Sequence, residues 1–173
     1  MPGDDVHGPR AQDAISDDAL ARLWLAAARD PRVGEALDAI EAMIEDQVGA
    51  RNPACWGSGR CCAFEQAGHR LYTTGLEAAR TIVRLPPGVL LTRDALDGAL
   101  ARGDCPFLTA NLCGVHLAKP GACRVYFCDR SAQDWQHELA ERVHEAVRRA
   151  HDRFGVAYRY AEWRALLGMF VPA

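Results

Sequence analysis

The sequence predicts a mainly α fold: a single domain, with small irregular β hairpins, whose helices frame a cysteine-rich centre. Three observations predict it. Apolar residues recur at helical spacing toward both ends of the chain, and the stretch between them breaks into Asn, Pro, Gly and Cys. All seven cysteines lie in that stretch, between Cys55 and Cys128, and flanks of roughly fifty residues on either side have none. No repeat or linker divides the 173 residues, a length that suits one domain with a real core.

Residues 1–15, rich in Gly, Pro and Asp and without apolar period, read as a disordered lead-in, and residues 16–173 as the domain. Ser16 is placed to cap a helix through Arg29, with Asp17 and Asp18 complementing its dipole. Asp30-Pro31 opens a second helix carrying Leu37, Ile40, Ile44 and Val48 on one face, and the two are expected to form a helical hairpin. From Arg51 to Gly68 the pattern suits a ligand loop, followed by a short strand near Leu71–Thr73. Thr74 and Glu77 make a capping box for a helix to about Arg84, Pro86-Pro87-Gly88 a turn, and Thr92 the cap of a helix ending near Gly103.

The run from Cys105 to His116 reads as a hairpin turning at Ala110-Asn111. Ser131 and Asp134 open a long helix, about residues 131–154, with Trp135, Leu139, Val143, Ala146, Ala150 and Phe154 as its buried stripe and Gly155 as its stop. His137, His144 and His151 repeat every seven residues on another side of that helix and are expected to face solvent. Val156, Tyr158 and Tyr160 alternate like a short strand, and an amphipathic turn follows from Trp163 to Leu167. Trp135, Phe154, Trp163 and Tyr126 read as core residues.

Net charge is −3 with scattered Lys and Arg, so neither nucleic acid nor an acidic membrane surface is an expected partner. The longest apolar run, Leu23 to Ala28, is too short to span a bilayer, and the acidic N-terminus is the reverse of a secretory signal. A cytoplasmic location is expected. In a reducing compartment clustered cysteines bind metal or catalyse more often than they pair, and an odd number leaves one thiol over from any complete disulfide set. No Ser-His-Asp order, phosphate loop or pair of catalytic carboxylates stands out.

The spacing is Cys55-x5-Cys61-Cys62, a gap of 42 residues, then Cys105-x7-Cys113-x9-Cys123-x4-Cys128. It matches neither the paired CxxC knuckles of a zinc ribbon nor the common ferredoxin spacings. Gly57 and Gly59 permit tight turns that aim backbone N–H groups at sulfur. Four thiolates on Zn²⁺ carry a net charge of about −2, which Arg60, Lys119 and Arg124 are positioned in sequence to offset.

Gly59-Arg60-Cys61-Cys62, Cys105-Pro106-Phe107-Leu108 and Cys113-Gly114-Val115-His116 through Cys123-Arg124 together resemble the YkgJ-like cysteine-cluster family. The resemblance covers roughly residues 55–128, and its members are described as zinc- or iron-chelating proteins. It implies metal ligation by Cys55, Cys61, Cys62, Cys105, Cys113, Cys123 and Cys128, with Zn²⁺ or iron, including a [4Fe–4S] cluster, as the bound group. The family pattern begins C-x-x-C-G-x-C-C and has eight cysteines. Ser58 stands here in place of one of them, and His116 and Lys119 replace a tyrosine and an arginine.

One zinc or one [4Fe–4S] cluster takes about four ligands, so seven cysteines exceed a single centre, and His116, Asp104 or solvent could complete a second. His69 is a weaker candidate ligand. Three functions stay open: a largely structural metal site; an iron–sulfur enzyme, since flagellin lysine methylases contain a domain similar to this family's; and metal storage or sensing through an incompletely filled site.

Overall fold

The computed structural model describes residues 15–172. The lead-in expected over residues 1–15 lies, apart from Ile15, outside the described residues. The molecule is mainly helical, with two small antiparallel ribbons. Helix α1 spans Asp17–Arg29 and α2 Pro31–Arg51; Ser16 accepts from the Ala19 N–H and Asp30 from the Arg32 N–H, as the capping residues predict. Helix α1 packs chiefly on α4 (Gly75–Val83), and α2 on the long α7 (Gln133–Phe154). The expected hairpin contact between α1 and α2 exists but is secondary to both.

The close approach of α1 to α4 rests on Gly75. A Cβ there would fall 2.4 Å from the ring of Trp24, which is fully buried and donates its indole N–H to Ala157 O at 2.7 Å. Around Trp24 gather Leu76, Phe64, Trp163, Leu166 and Leu167, the main apolar core. A smaller core of Ile44, Val125, Leu139, Val143 and Val147 lies between α2 and α7.

Helix α4 opens with the capping box the sequence predicts. Strand β1 (Tyr72–Thr74) pairs antiparallel with β4 (Tyr160–Glu162), and Thr74 stands opposite Tyr160. Helix α5 is Arg93–Arg102, capped by Thr92. Strands β2 (Leu108–Thr109) and β3 (Leu112–Cys113) form the expected hairpin, with Ala110 at φ 48° and Asn111 at φ 62° in its turn. Short helices α3 (Phe64–Ala67) and α6 (Gly121–Arg124) flank the cysteine segments, and α8 (Trp163–Gly168) closes the chain.

Five details differ from the sequence reading. A single helical turn, α3, interrupts the loop expected from Arg51 to Gly68. Helix α7 begins at Gln133, because Asp129 accepts from Ser131 and caps a 3₁₀ turn over Arg130–Ala132 instead. Its buried positions are Gln136, Leu139, Val143, Val147, Ala150 and His151, with Trp135 and Ala146 only half-buried. His151, expected at the surface, is 1% exposed, because the chain folds back after Gly155 and Val156 O meets its Nδ1 at 3.1 Å. Tyr126 is exposed rather than core and stacks on His69, with ring centroids 4.6 Å apart.

Candidate metal centre: a cluster of thiols around Cys62

Three separated segments bring cysteines together. The first turns at Gly59, whose φ is +70°; a Cβ there would stand 2.9 Å from the main chain of Asn111, so the turn before Cys61 lies directly against the β2–β3 turn. Cys62 N–H closes that turn on Gly59 O at 2.9 Å. The second segment arrives after α5: Cys105 N–H donates to Cys62 O at 2.8 Å, and Glu65 N–H to Gly103 O at 3.0 Å. The third is β3, where Cys113 stands opposite Leu108 and Gly114 N–H reaches Phe107 O at 2.8 Å.

Cys62 is the meeting point. Its buried thiol has Cys105, Cys113 and Cys61 as neighbours, and their proximity, with burial, pushes its pKa far up. The same proximity pulls the partners the other way. Cys61 is lowered to about 6 by Cys62, with Lys119 assisting, and Cys113 is lowered to about 6 for the same reasons. Cys105 is lowered chiefly by Cys62.

Cys105 also meets Trp163. The buried indole Nε1–H has no hydrogen-bond partner, and its proximity favours the Cys105 thiolate. Cys123 feels the charges of Cys105, Cys113 and Cys61, and burial raises its thiol well above the ordinary value.

The remaining two stand apart. Cys55 is exposed and Cys128 half-buried, and neither is among the thiols that neighbour Cys62. Their loops adjoin: Ala54 N–H donates to Asp129 at 3.2 Å, and Arg51 to Ser131 O at 3.1 Å. Among the described residues no group of three or more His, Cys, Asp or Glu side chains is poised to hold a metal ion.

The charge balance is narrower than the sequence suggested. Lys119 lowers Cys61 and Cys113 and opposes the burial of Cys123. Arg124 is committed elsewhere, to Glu41 at 2.9 Å and to the carbonyls of Leu117 and Lys119. It ties α6 to α2 rather than serving the thiols. Arg60 acts on the Tyr126 hydroxyl. His116 is exposed, and Lys119 lowers its pKa. Asp104 pairs with Arg102 at 3.1 Å. Ser58 is exposed on the turn before Gly59. The His69 Nε2 lies 3.3 Å from Cys61 O, and its ring is held between Phe64 and Tyr126.

Sequence reasoning missed two features. Glu77 appeared only as a helix cap, yet its buried carboxylate also accepts from Gly121 N–H at 3.0 Å, fixing the start of the segment that carries Cys123. The central rank of Cys62 over its six companions has no signature in the spacing.

Fold and site define a small, mainly helical domain built around clustered thiols. Comparison with family models, curated proteins and solved structures finds no match to the chain. Among the described residues no helix is long and apolar enough to cross a membrane.

Proposed function

We propose that this chain is a metal-binding cysteine-cluster protein, in keeping with the motif resemblance to the YkgJ-like family. Cys61, Cys62, Cys105 and Cys113 are the principal ligands and Cys123 their neighbour. The observation that carries the reading is the gathering of Cys61, Cys62, Cys105 and Cys113 from three separate segments, tied by the Cys105 N–H to Cys62 O bond and the packing of Gly59 on Asn111, beside a buried indole N–H with no partner. Four thiolates satisfy either a tetrahedral zinc or a [4Fe–4S] cluster. Bound metal would displace the thiol protons and staple the loop before α3 to β3 and to the end of α5. Its role is then largely structural, because few regular elements hold this centre together.

Cys61 is exposed, which favours a second reading, that the centre exchanges its metal with solvent as a storage or sensing site does. One experiment addresses both. Purified protein is titrated with a strong chelator while metal release and circular dichroism are followed together. A structural centre releases metal only as helical signal and melting temperature fall, and an exchanging site releases it with both unchanged. Protein that carries no metal and melts identically with and without added Zn²⁺ or Fe²⁺ would overturn the proposal.

A further inference from the structure

A cleft of about 670 Å³ has Cys128 in its wall. Its volume falls in the range of sites for small organic ligands. Two properties set it apart from an ordinary surface hollow.

The first is its aromatic lining. Trp56, Tyr72, Tyr126 and Tyr160 all line it, and they are 65%, 42%, 37% and 47% exposed. They come from the loop after α2, from the β1–β4 ribbon and from the segment after α6. The ribbon register puts Tyr72 and Tyr160 on one face, where their rings stack at 6.0 Å, and His144 backs Tyr160 at 4.5 Å. His69 backs Tyr126 in the same way. Large, partly exposed rings, two of them braced by a histidine, offer a flat molecule surface on which to stack. Ala67, Leu71, Ala122 and Val125 supply apolar surface between them.

The second is its charge. Arg60, Arg70 and Arg130 line the cleft, and among the described residues none of them has an ion-pair or side-chain hydrogen-bond partner. The one acidic residue in the lining, Asp129, is occupied by the N–H groups of Ala54 and Ser131 and by the Ser131 hydroxyl. Three arginines against one engaged carboxylate, in a protein of net charge −3, make a local positive field aimed into an aromatic hollow.

We infer that this cleft binds a planar organic anion, a flat ring system bearing a carboxylate or phosphate: the ring stacks on the exposed aromatics and the anionic group is taken by the arginines. The inference stands on the cleft alone and does not need the metal centre, although a ligand seated there lies beside Cys128.

Calorimetric titration of the full chain, as purified, with AMP, flavin mononucleotide and indole-3-acetate tests it, with adenosine and inorganic phosphate as half-ligand controls. At least one of the three anions is expected to saturate a single site, with each control at least about tenfold weaker, the factor that about 1.4 kcal/mol of lost contact produces. Arg70→Ala and Trp56→Ala, both exposed positions, are each expected to weaken that ligand by a similar factor while circular dichroism and metal content stay constant. Parallel metal analysis keeps a failure of the cleft distinguishable from a failure of the metal centre. The inference is overturned if none of the three anions binds, or if both variants bind as the parent does. Tighter binding of a single-stranded oligonucleotide than of any mononucleotide would overturn it in favour of a nucleic-acid site.

Discussion

Cys62→Ser is expected to strip the protein of its metal, whereas Cys55→Ser is expected to leave metal content near that of the parent. Both replacements are isosteric apart from the sulfur, so they separate ligation from packing. Cys62 has Cys61, Cys105 and Cys113 as its neighbouring thiols, and Cys55 is exposed on a loop outside that group. Removing this buried sulfur deletes the proposed ligand that has the other three as neighbours. Structural four-thiolate sites are worth on the order of 10 kcal/mol in apparent folding free energy, comparable to the whole stability of a domain. The variant is therefore expected to melt far below the parent, and elemental analysis with thermal denaturation checks both effects. Equal metal in Cys62→Ser and the parent would remove Cys62 from the centre.

The second large effect is expected at Glu77, away from any thiol. Its carboxylate, in a residue 9% exposed, accepts from Thr73 Oγ1 at 2.8 Å, Thr74 Oγ1 at 2.9 Å, Thr74 N at 3.1 Å and Gly121 N at 3.0 Å. It thus ties β1, the first turn of α4 and the start of α6 into one buried polar knot. Glu77→Ala leaves those donors without a partner in the interior, where each costs about 1–3 kcal/mol. Some of the loss is recovered by water and relaxation, so a destabilisation of about 4 kcal/mol is expected. That corresponds to a fall in melting temperature on the order of 10 °C for a chain of this size. Chemical denaturation checks it, and a change below about 1 kcal/mol, the ordinary surface value, would contradict the account. Glu77→Gln keeps one accepting oxygen and is expected to fall between the two.

Features written in local sequence were legible, and features made by distant segments were not. Ser16, Asp30, Thr74 with Glu77, Thr92 and Gly155 all mark helix ends where the sequence puts them, because a cap and its N–H or C=O partner lie within one turn. Ala110-Asn111 announced its hairpin for the same reason. His151 was misjudged because its burial is decided by the chain after Gly155, and periodicity within α7 carries no information about that return. Arg124 sits close to cysteines in sequence, but Glu41 on α2, far away in the chain, claims its guanidinium. The aromatic cleft was equally hidden, since Tyr72 and Tyr160 become neighbours only when β1 pairs with β4.

The cysteines divide along the same line. Their clustering in sequence indicated thiolate chemistry. It did not rank Cys61, Cys62, Cys105 and Cys113 above Cys55 and Cys128, because that ranking comes from the Cys62–Cys105 backbone bond and the packing of Gly59 on Asn111. Seven candidates become a connected group of four, one adjacent thiol and two on the neighbouring loops.

The most direct test of a thiolate metal centre is the metal-to-protein ratio of anaerobically purified protein, measured together with the number of thiols that react with a thiol reagent in the native state. The account predicts about one zinc per chain, or about four irons with visible charge-transfer absorption, and Cys61, Cys62, Cys105 and Cys113 protected until the metal is removed. Metal far below stoichiometry, with those four cysteines reacting as freely before chelation as after it, would contradict it.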